Sequence, residues 1–337
     1  MEQRTRSHRG TRPASALAAV ILVAALVSAC SAGASPASTT AGTARWTVEH
    51  PEPTTVAASN AGLYSVSCPT STFCAAVDGS GNAEMWNGTR WQPPVQATPN
   101  GTLNSVSCPT RTFCVALNGQ QAVLYNGAAW TISTAVGPAP TGPTGGQYEV
   151  SCTSSTFCGS VNTAGVASLF DGTTWAHDAL VDDGTAAKPV QNISCASPTF
   201  CVVVSASGNI ATLVGTSWSK QTSPGQSLLH SVSCPTTTFC MALDLTGHAI
   251  LFNGSSWTQA QPMPGPGTLT FSVSCPTSNQ CLVARSDGSV SVWQAGTWSA
   301  PVAVLHDGTV ASASIACAST TFCALVDTSG SAAVLRG

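Results

Sequence analysis

Charge is what this chain has least of: 11 Lys or Arg and 14 Asp or Glu among 337 residues, or 7%, where a soluble domain ordinarily carries roughly 25%. A large basic footprint for nucleic acid is thereby excluded, because phosphate backbones are held by clustered cations. Long apolar runs are missing too. The stretch Ala16–Val27 is too short for a membrane-spanning helix, which needs about 20 apolar residues. Zinc-type C-x2-C pairs are absent, and the five histidines beyond residue 29, His50, His177, His230, His248 and His306, each hold a different place in the repeat described below. The sequence therefore predicts no metal site, no cofactor and no nucleic-acid partner. What is plentiful is apolar side chain, 43%, with 30 Gly and 21 Pro, a turn-rich globular composition with enough apolar surface to offset chain entropy.

The N-terminus reads as an address. Arg4, Arg6, Arg9 and Arg12 precede the apolar stretch and small residues follow it, the order of a secretory signal peptide over residues 1–29. The segment Leu26-Val27-Ser28-Ala29-Cys30 resembles the bacterial lipobox, and the resemblance implies a diacylglyceryl group on Cys30 as the mature N-terminus. No Arg-Arg pair is present, which favours the general secretory route over the twin-arginine one. Acyl chains on one residue give stable anchoring only in pairs or more, since each buried CH₂ contributes about 0.8 kcal/mol. Residues 30–43 continue as SAGASPASTTAGT after the cysteine, a tether with an r.m.s. span of about 20 Å. Without residues 1–29 the chain keeps 7 basic against 13 acidic side chains, a net charge near −6. Anionic headgroups do not attract such a chain, so membrane contact is expected through the lipid anchor only, on the outer face of the cytoplasmic membrane.

One unit recurs over nearly all the remaining length. SVSCPTSTFC at 65–74 returns as SVSCPTRTFC at 105–114, VSCTSSTFC at 150–158, ISCASPTFC at 193–201, SVSCPTTTFC at 231–240, SVSCPTSNQC at 272–281 and IACASTTFC at 315–323. Successive first cysteines stand 40, 44, 43, 39, 41 and 42 residues apart, the period of a four-stranded propeller blade. Within each copy a strand ends at the first Cys and a second begins at Phe-Cys. A third strand leads to a tight turn, Asn-Gly in three copies and Asp-Gly in a fourth, and then to a Trp. Such a dipeptide between apolar runs predicts a hairpin, since both of its positions tolerate positive φ.

The seventh copy stops at Gly337, in register with Gly88, Gly127, Gly172, Gly215 and Gly254, where a fourth strand is still owed. The N-terminal AGTARWTVEH, residues 41–50, holds Trp46 with no three strands before it, beside Trp91, Trp130, Trp175, Trp218, Trp257 and Trp298 in the other copies. The expected fold is all-β: a seven-bladed β-propeller over residues 44–337, four antiparallel strands per blade, its ring closed by the N-terminal strand pairing into the last blade. The closure resembles that of WD-repeat propellers, without their Trp-Asp signature. The SC-x5-C and NG-x2-W repeats resemble those of exported actinobacterial propeller lipoproteins, a resemblance that names an architecture and no activity.

Of 15 cysteines, Cys30 stands apart and 14 fall into seven C-x5-C pairs: Cys68 with Cys74, Cys108 with Cys114, Cys152 with Cys158, Cys195 with Cys201, Cys234 with Cys240, Cys275 with Cys281, and Cys317 with Cys323. In an exported chain an even count at fixed spacing predicts disulfides, here bracketing the turn between first and second strands. The seven Trp, together with Trp86, Tyr125, Phe170, Phe252 and Trp293 at the ends of third strands, are expected to pack between blades.

A ligand is expected where the copies differ. First-strand starts and second-strand ends share one rim. Four residues before each first Cys stand Tyr64, Asn104, Tyr148, Gln191, His230, Phe271 and Ala313; four after each second Cys stand Asp78, Asn118, Asn162, Ser205, Asp244, Arg285 and Asp327. Mixed aromatic and polar groups around a central mouth suit a binding surface, although Asp and Asn there serve equally well in local side-chain-to-backbone turns. Sialidase-type chemistry is disfavoured. FDGTTW at 170–175 and FNGSSW at 252–257 lack the S-x-D-x-G-x-T-W spacing, and an arginine triad would have to come from Arg45, Arg90, Arg111, Arg285 and Arg336, with only Lys188 and Lys220 besides. A carboxylate pair such as Asp182 and Asp183 leaves hydrolysis or lyase chemistry open. The leading expectation is a non-enzymatic, lipid-anchored extracytoplasmic binding module for cell-wall glycan or an envelope protein. The rivals are a propeller glycoside hydrolase or lyase and a scaffold in an envelope assembly complex.

Overall fold

The structure, a computed structural model, describes residues 45–49, 62–99, 101–137, 146, 148–182, 188–224, 228–265, 268–305 and 311–337. The signal segment 1–29, Cys30 and the tether lie outside the described residues, as do His50, Asp183 and His306.

Every regular element described is a strand. The strands form seven antiparallel sheets, each taking its members in sequence order except the last. The first strands are Leu63–Thr70, Ser105–Thr110, Tyr148–Ser154, Val190–Ser197, Leu229–Thr236, Thr270–Thr277 and Ala313–Ser319. Each lies beside the first strands of the two neighbouring sheets, and that of sheet 7 lies beside that of sheet 1. The sheets are therefore blades around a closed ring with their first strands innermost. The chain is a seven-bladed β-propeller. Blade 6 carries its fourth strand in two pieces, Thr297–Trp298 and Val302–Ala303, both paired with Ser289–Gln294.

The ring closes as expected. Arg45–Glu49 is the outermost strand of the blade whose other members are Ala313–Ser319, Phe322–Asp327 and Ala332–Arg336. Trp46 stands opposite Leu335, as Trp130 stands opposite Tyr125 and Trp175 opposite Phe170 in blades 2 and 3.

Hydrophobic clusters fill all seven blade interfaces, each built from two adjacent blades. In blade 5, Cys240 and Ala242 face blade 4 while Met241 and Leu243 face blade 6. Second strands are thus buried on both sides, which is why FCMAL and its counterparts read as continuous apolar runs rather than as alternation. The Phe before the second Cys reaches the aromatic ending the next blade's third strand: Phe73 to Tyr125 at 6.2 Å, Phe113 to Phe170 at 6.3 Å, Phe200 to Phe252 at 6.0 Å, Phe239 to Trp293 at 5.5 Å and Phe322 to Trp86 at 6.4 Å between ring centroids. That aromatic in turn contacts its own blade's Trp, as in Phe170 with Trp175 at 5.1 Å, so the repeated tryptophans serve inter-blade packing.

All seven C-x5-C pairs are disulfides, with Cα atoms 3.9–4.1 Å apart across the first hairpin. Disulfides at this density belong to an oxidising, extracytoplasmic compartment. The turn between third and fourth strands is held by its first residue: Asn87, Asn126, Asp171 and Asn253 each accept backbone N–H bonds from the residues two and three on, at 2.8–3.0 Å. The Gly that follows has a φ of +93° to +101° in these four turns, a conformation that L side chains rarely adopt. Those N–H bonds also hold the Asp171 carboxyl well below the usual carboxylate range.

The serines of the S-x-S-C repeat join the blades. The one directly before the first Cys accepts from the backbone N–H of the next blade's first Cys: Ser67 from Cys108, Ser107 from Cys152, Ser151 from Cys195, Ser194 from Cys234, Ser233 from Cys275 and Ser274 from Cys317, all at 2.9–3.0 Å. Two residues earlier, Ser65, Ser105, Asn192, Ser231, Ser272 and Ser314 each accept from the residue two before the next blade's Cys, at 3.1–3.2 Å. Two girdles of hydrogen bonds thus run around the axis, each joining six of the seven pairs of neighbouring blades.

Candidate functional site

The inner strands enclose a central cavity of about 340 Å³, open at the end where those strands begin. Its lining includes Tyr64, Asn104, Glu149, Gln191, His230 and Phe271, one from each of blades 1 to 6; blade 7 supplies only Ser312, Ala313 and Ser314. The wall also includes Ser65, Ser105, Asn192, Ser231, Ser272 and Ser314, the second of the two girdles.

Local strand geometry decides which residue of each blade looks inward. In blade 1, Leu63 pairs with Asp78 and Ser65 with Val77, so Tyr64 is an extra residue in a β-bulge. Gln191, His230 and Phe271 are the corresponding extra residues in blades 4, 5 and 6. In blade 2 the backbone N–H of Asn104 donates to Leu117 O, to which Ser105 is also paired. Blade 3 has no such bulge: Tyr148 pairs with Asn162 and Glu149 with Val161. Tyr148 therefore takes the place of Leu63, is 1% exposed, and accepts a 3.4 Å bond from Asn162 Nδ2. Its assignment to the ligand rim is corrected on that ground: the missing bulge turns it into the core and leaves Glu149 to face the axis.

Of the other half of the expected rim, all but the half-buried Asn118 sit below the surface. Asp78, Asn162, Ser205, Asp244, Arg285 and Asp327 are all at most 1% exposed. Asp78 accepts from the backbone N–H of Ser80 and Asn82 at 2.9 and 2.7 Å, Asp244 from Thr246 and His248 at 2.8 and 2.9 Å, and Asp327 from Ser329 and Ser331 at 2.9 and 3.1 Å. Asn162 does the same for Val166 at 2.9 Å. These residues shape the second-to-third strand turns, the local role open to them from the sequence, and the rim assignment is corrected accordingly. Arg285 donates instead across a loop, to Pro264 O at 2.7 Å and to Gly265 O and Thr268 Oγ1; burial lowers its pKa, partly offset by Asp287. Asp182 is tied to Lys220 Nζ at 2.7 Å and Asn209 Nδ2 at 3.0 Å. His248 lies 3.1 Å from Asp244 Oδ2, away from the cavity.

The mouth residues differ in character. Tyr64 is 39% exposed, while Asn104, Gln191, His230 and Phe271 are half-buried. The His230 ring meets Phe271 edge-on with centroids 6.4 Å apart, its Nδ1 is buried without a hydrogen-bond partner, and burial lowers its pKa. It is therefore a neutral imidazole at pH 7. Burial pushes the Glu149 carboxyl up to about 7, an effect reduced by a hydrogen bond from Ser105. Sequence reasoning missed Glu149. Its signal was a departure from the repeat, since Ser or Asn stands at that position in the other six copies.

No protein-family model matches the sequence, and no curated protein is similar to it. Solved structures match in shape. The chain is similar to YCF48 bound to a D1 peptide, with a TM-score of 0.65, 15% identity, and 87% of this chain and 95% of that one covered. It is also similar to the WD40 β-propeller domain of Doa1, with a TM-score of 0.64, 12% identity and coverage of 83% and 94%. Streptogramin B lyase matches with a TM-score of 0.70, 8% identity and coverage of 86% and 97%. The likeness is one of fold alone. One of these propellers was solved with a bound peptide and another is an enzyme by name, so the shared fold does not decide a function.

Proposed function

We propose that the protein is an exported, lipid-anchored binding module that takes the end of a cell-wall glycan into the mouth of its central cavity, without turnover. Cys30 carries the anchor, and residues 31–43 separate it from the propeller in the sequence. The observation that carries the reading is the set of side chains at the mouth: carboxamides of Asn104 and Gln191, the imidazole of His230 and the carboxyl of Glu149, with the rings of Tyr64 and Phe271 among them. Carboxamides donate and accept at once, as adjacent sugar hydroxyls do, and aromatic faces cover the apolar C–H faces of a pyranose. A cavity of about 340 Å³ holds a chain end rather than a folded partner. The envelope-protein alternative keeps one supporting observation, that the similar YCF48 was solved with a peptide.

The test is calorimetric titration of the full chain, oxidised and in detergent, with purified cell-wall glycan fragments. Saturable binding is expected, weakened at least tenfold in a Tyr64→Ala, Gln191→Ala, Phe271→Ala triple variant that keeps its unfolding midpoint. Binding that survives the triple variant would move the ligand off the mouth. Release of shortened sugar during the titration would replace a binding module by a hydrolase or lyase.

A further inference from the structure

Among the described residues that line it, the mouth holds one carboxyl group, that of Glu149, and no Lys or Arg. Tyr64 and His230 are the other titratable side chains among them. His230 is kept neutral by burial, so it offers a neutral ring and no cation. Ser105 is Glu149's hydrogen-bond partner, and the Ser105 oxygen already accepts from Val150 N at 3.2 Å; its hydroxyl proton is thus directed to Glu149. The other blades place at this position Ser or Asn, whose oxygen ties the next inner strand. Blade 3 alone has a carboxyl there, and the other described residues lining the cavity are neutral. A carboxylate desolvated without a cation is costly, and that cost is relieved by a ligand that brings the positive charge with it.

We propose, on the basis of the glycan reading above, that the sugar entering the mouth carries an unsubstituted amine and that Glu149 receives its ammonium group. Tyr64 and Phe271 then flank the ring, and Asn104, Gln191 and His230 address its hydroxyls. An N-acetylated sugar brings no charge to Glu149 and binds more weakly. The carboxyl ionises above about pH 7 in the empty cavity. Binding of a cation therefore releases a proton at lower pH, and the preference for the amine falls as pH drops.

Three probes separate this inference from the reading beneath it: a β-1,4-linked glucosamine trisaccharide, its fully N-acetylated counterpart, and cellotriose, each titrated into the full chain. At pH 7 the glucosamine ligand is expected to bind at least tenfold tighter than the other two. The Glu149→Gln variant should bind all three alike. For the unaltered protein the amine preference should shrink by about tenfold between pH 7 and pH 5.5, as Glu149 takes up its proton, and this arm stands whether or not the variant folds. Equal binding of the three by the unaltered protein, lost in the Tyr64 and Phe271 variants, would overturn the amine inference and leave the glycan reading in place. A preference unchanged at pH 5.5 would overturn the role of Glu149. Failure of all three to bind would overturn the glycan reading itself.

Discussion

Two side chains per inner strand do the joining of this ring, and each of the two positions departs from the repeat once, at Glu149 in blade 3 and at Ala316 in blade 7. At the seam between the last and first blades, Ala316 occupies the position from which a serine would accept the backbone N–H of Cys68, as six other blades do at 2.9–3.0 Å. The same seam keeps its other joint, in which Val66 N–H donates to Ser314 Oγ at 3.2 Å, as in the other blades. Ala316→Ser is therefore expected to add about 0.5–1.5 kcal/mol and to raise the unfolding midpoint by about 2 °C, read by thermal unfolding of the oxidised protein. A lowered midpoint would show that the seam is spaced too widely or too tightly for the bond. The S-x-S-C repetition was in plain view in the sequence, but its meaning was not. A hydrogen bond between residues some 40 positions apart leaves no local trace beyond the recurrence itself. Glu149 was hidden in the same way, one unlike letter in a column of five serines and one asparagine.

At the scale of the element, the strand assignments follow from the repeat because turn chemistry and apolar runs are local. The mouth does not, because counting back from the first cysteine assumes that every blade spends the same number of residues on its inner strand. A bulge in blades 1, 4, 5 and 6 adds one, and its absence from blade 3 exchanges Tyr148 for Glu149. Bulges shift which face a side chain takes, and nothing in YEVSC announces that this one is missing. The first hairpin, by contrast, is fixed twice over, by its strand pairing and by its disulfide. Closing a seven-residue loop contributes about 2.4 kcal/mol in the chain-entropy model. Cys234 and Cys240 are also buried in the interface between blades 4 and 5. Replacing both by Ala is expected to cost about 2–4 kcal/mol in urea unfolding. A loss under about 0.5 kcal/mol would show that the hairpin is equally closed without its bond.

For the whole molecule, the decisive element is the shortest way of closing the circle. Arg45–Glu49 covers the outer edge of Ala332–Arg336, and Trp46 packs against the interface between blades 6 and 7. The same last strand is tied onward to blade 1, where the Arg336 guanidinium lies 4.7 Å from the Trp86 ring centroid and donates to Thr89 O at 3.3 Å. This closure was legible in the sequence because it is a matter of counting: six complete copies, a seventh one strand short, and a spare Trp strand at the other end. Removing residues 1–49 should expose a sheet edge and an interface short of one tryptophan, a loss of about 3–5 kcal/mol by analogy with buried Trp truncations. The midpoint is expected to fall by about 5–10 °C, and the truncated chain should self-associate through the bared edge in sedimentation experiments. Adding the peptide AGTARWTVEH in excess should restore both midpoint and monomer, because the edge it pairs with is already formed, whereas a Trp→Ala peptide should not. If truncation leaves stability unchanged, the ring is held by its inner girdles and the hydrophobic clusters between blades, and the N-terminal strand is a passive link between the propeller and its proposed anchor.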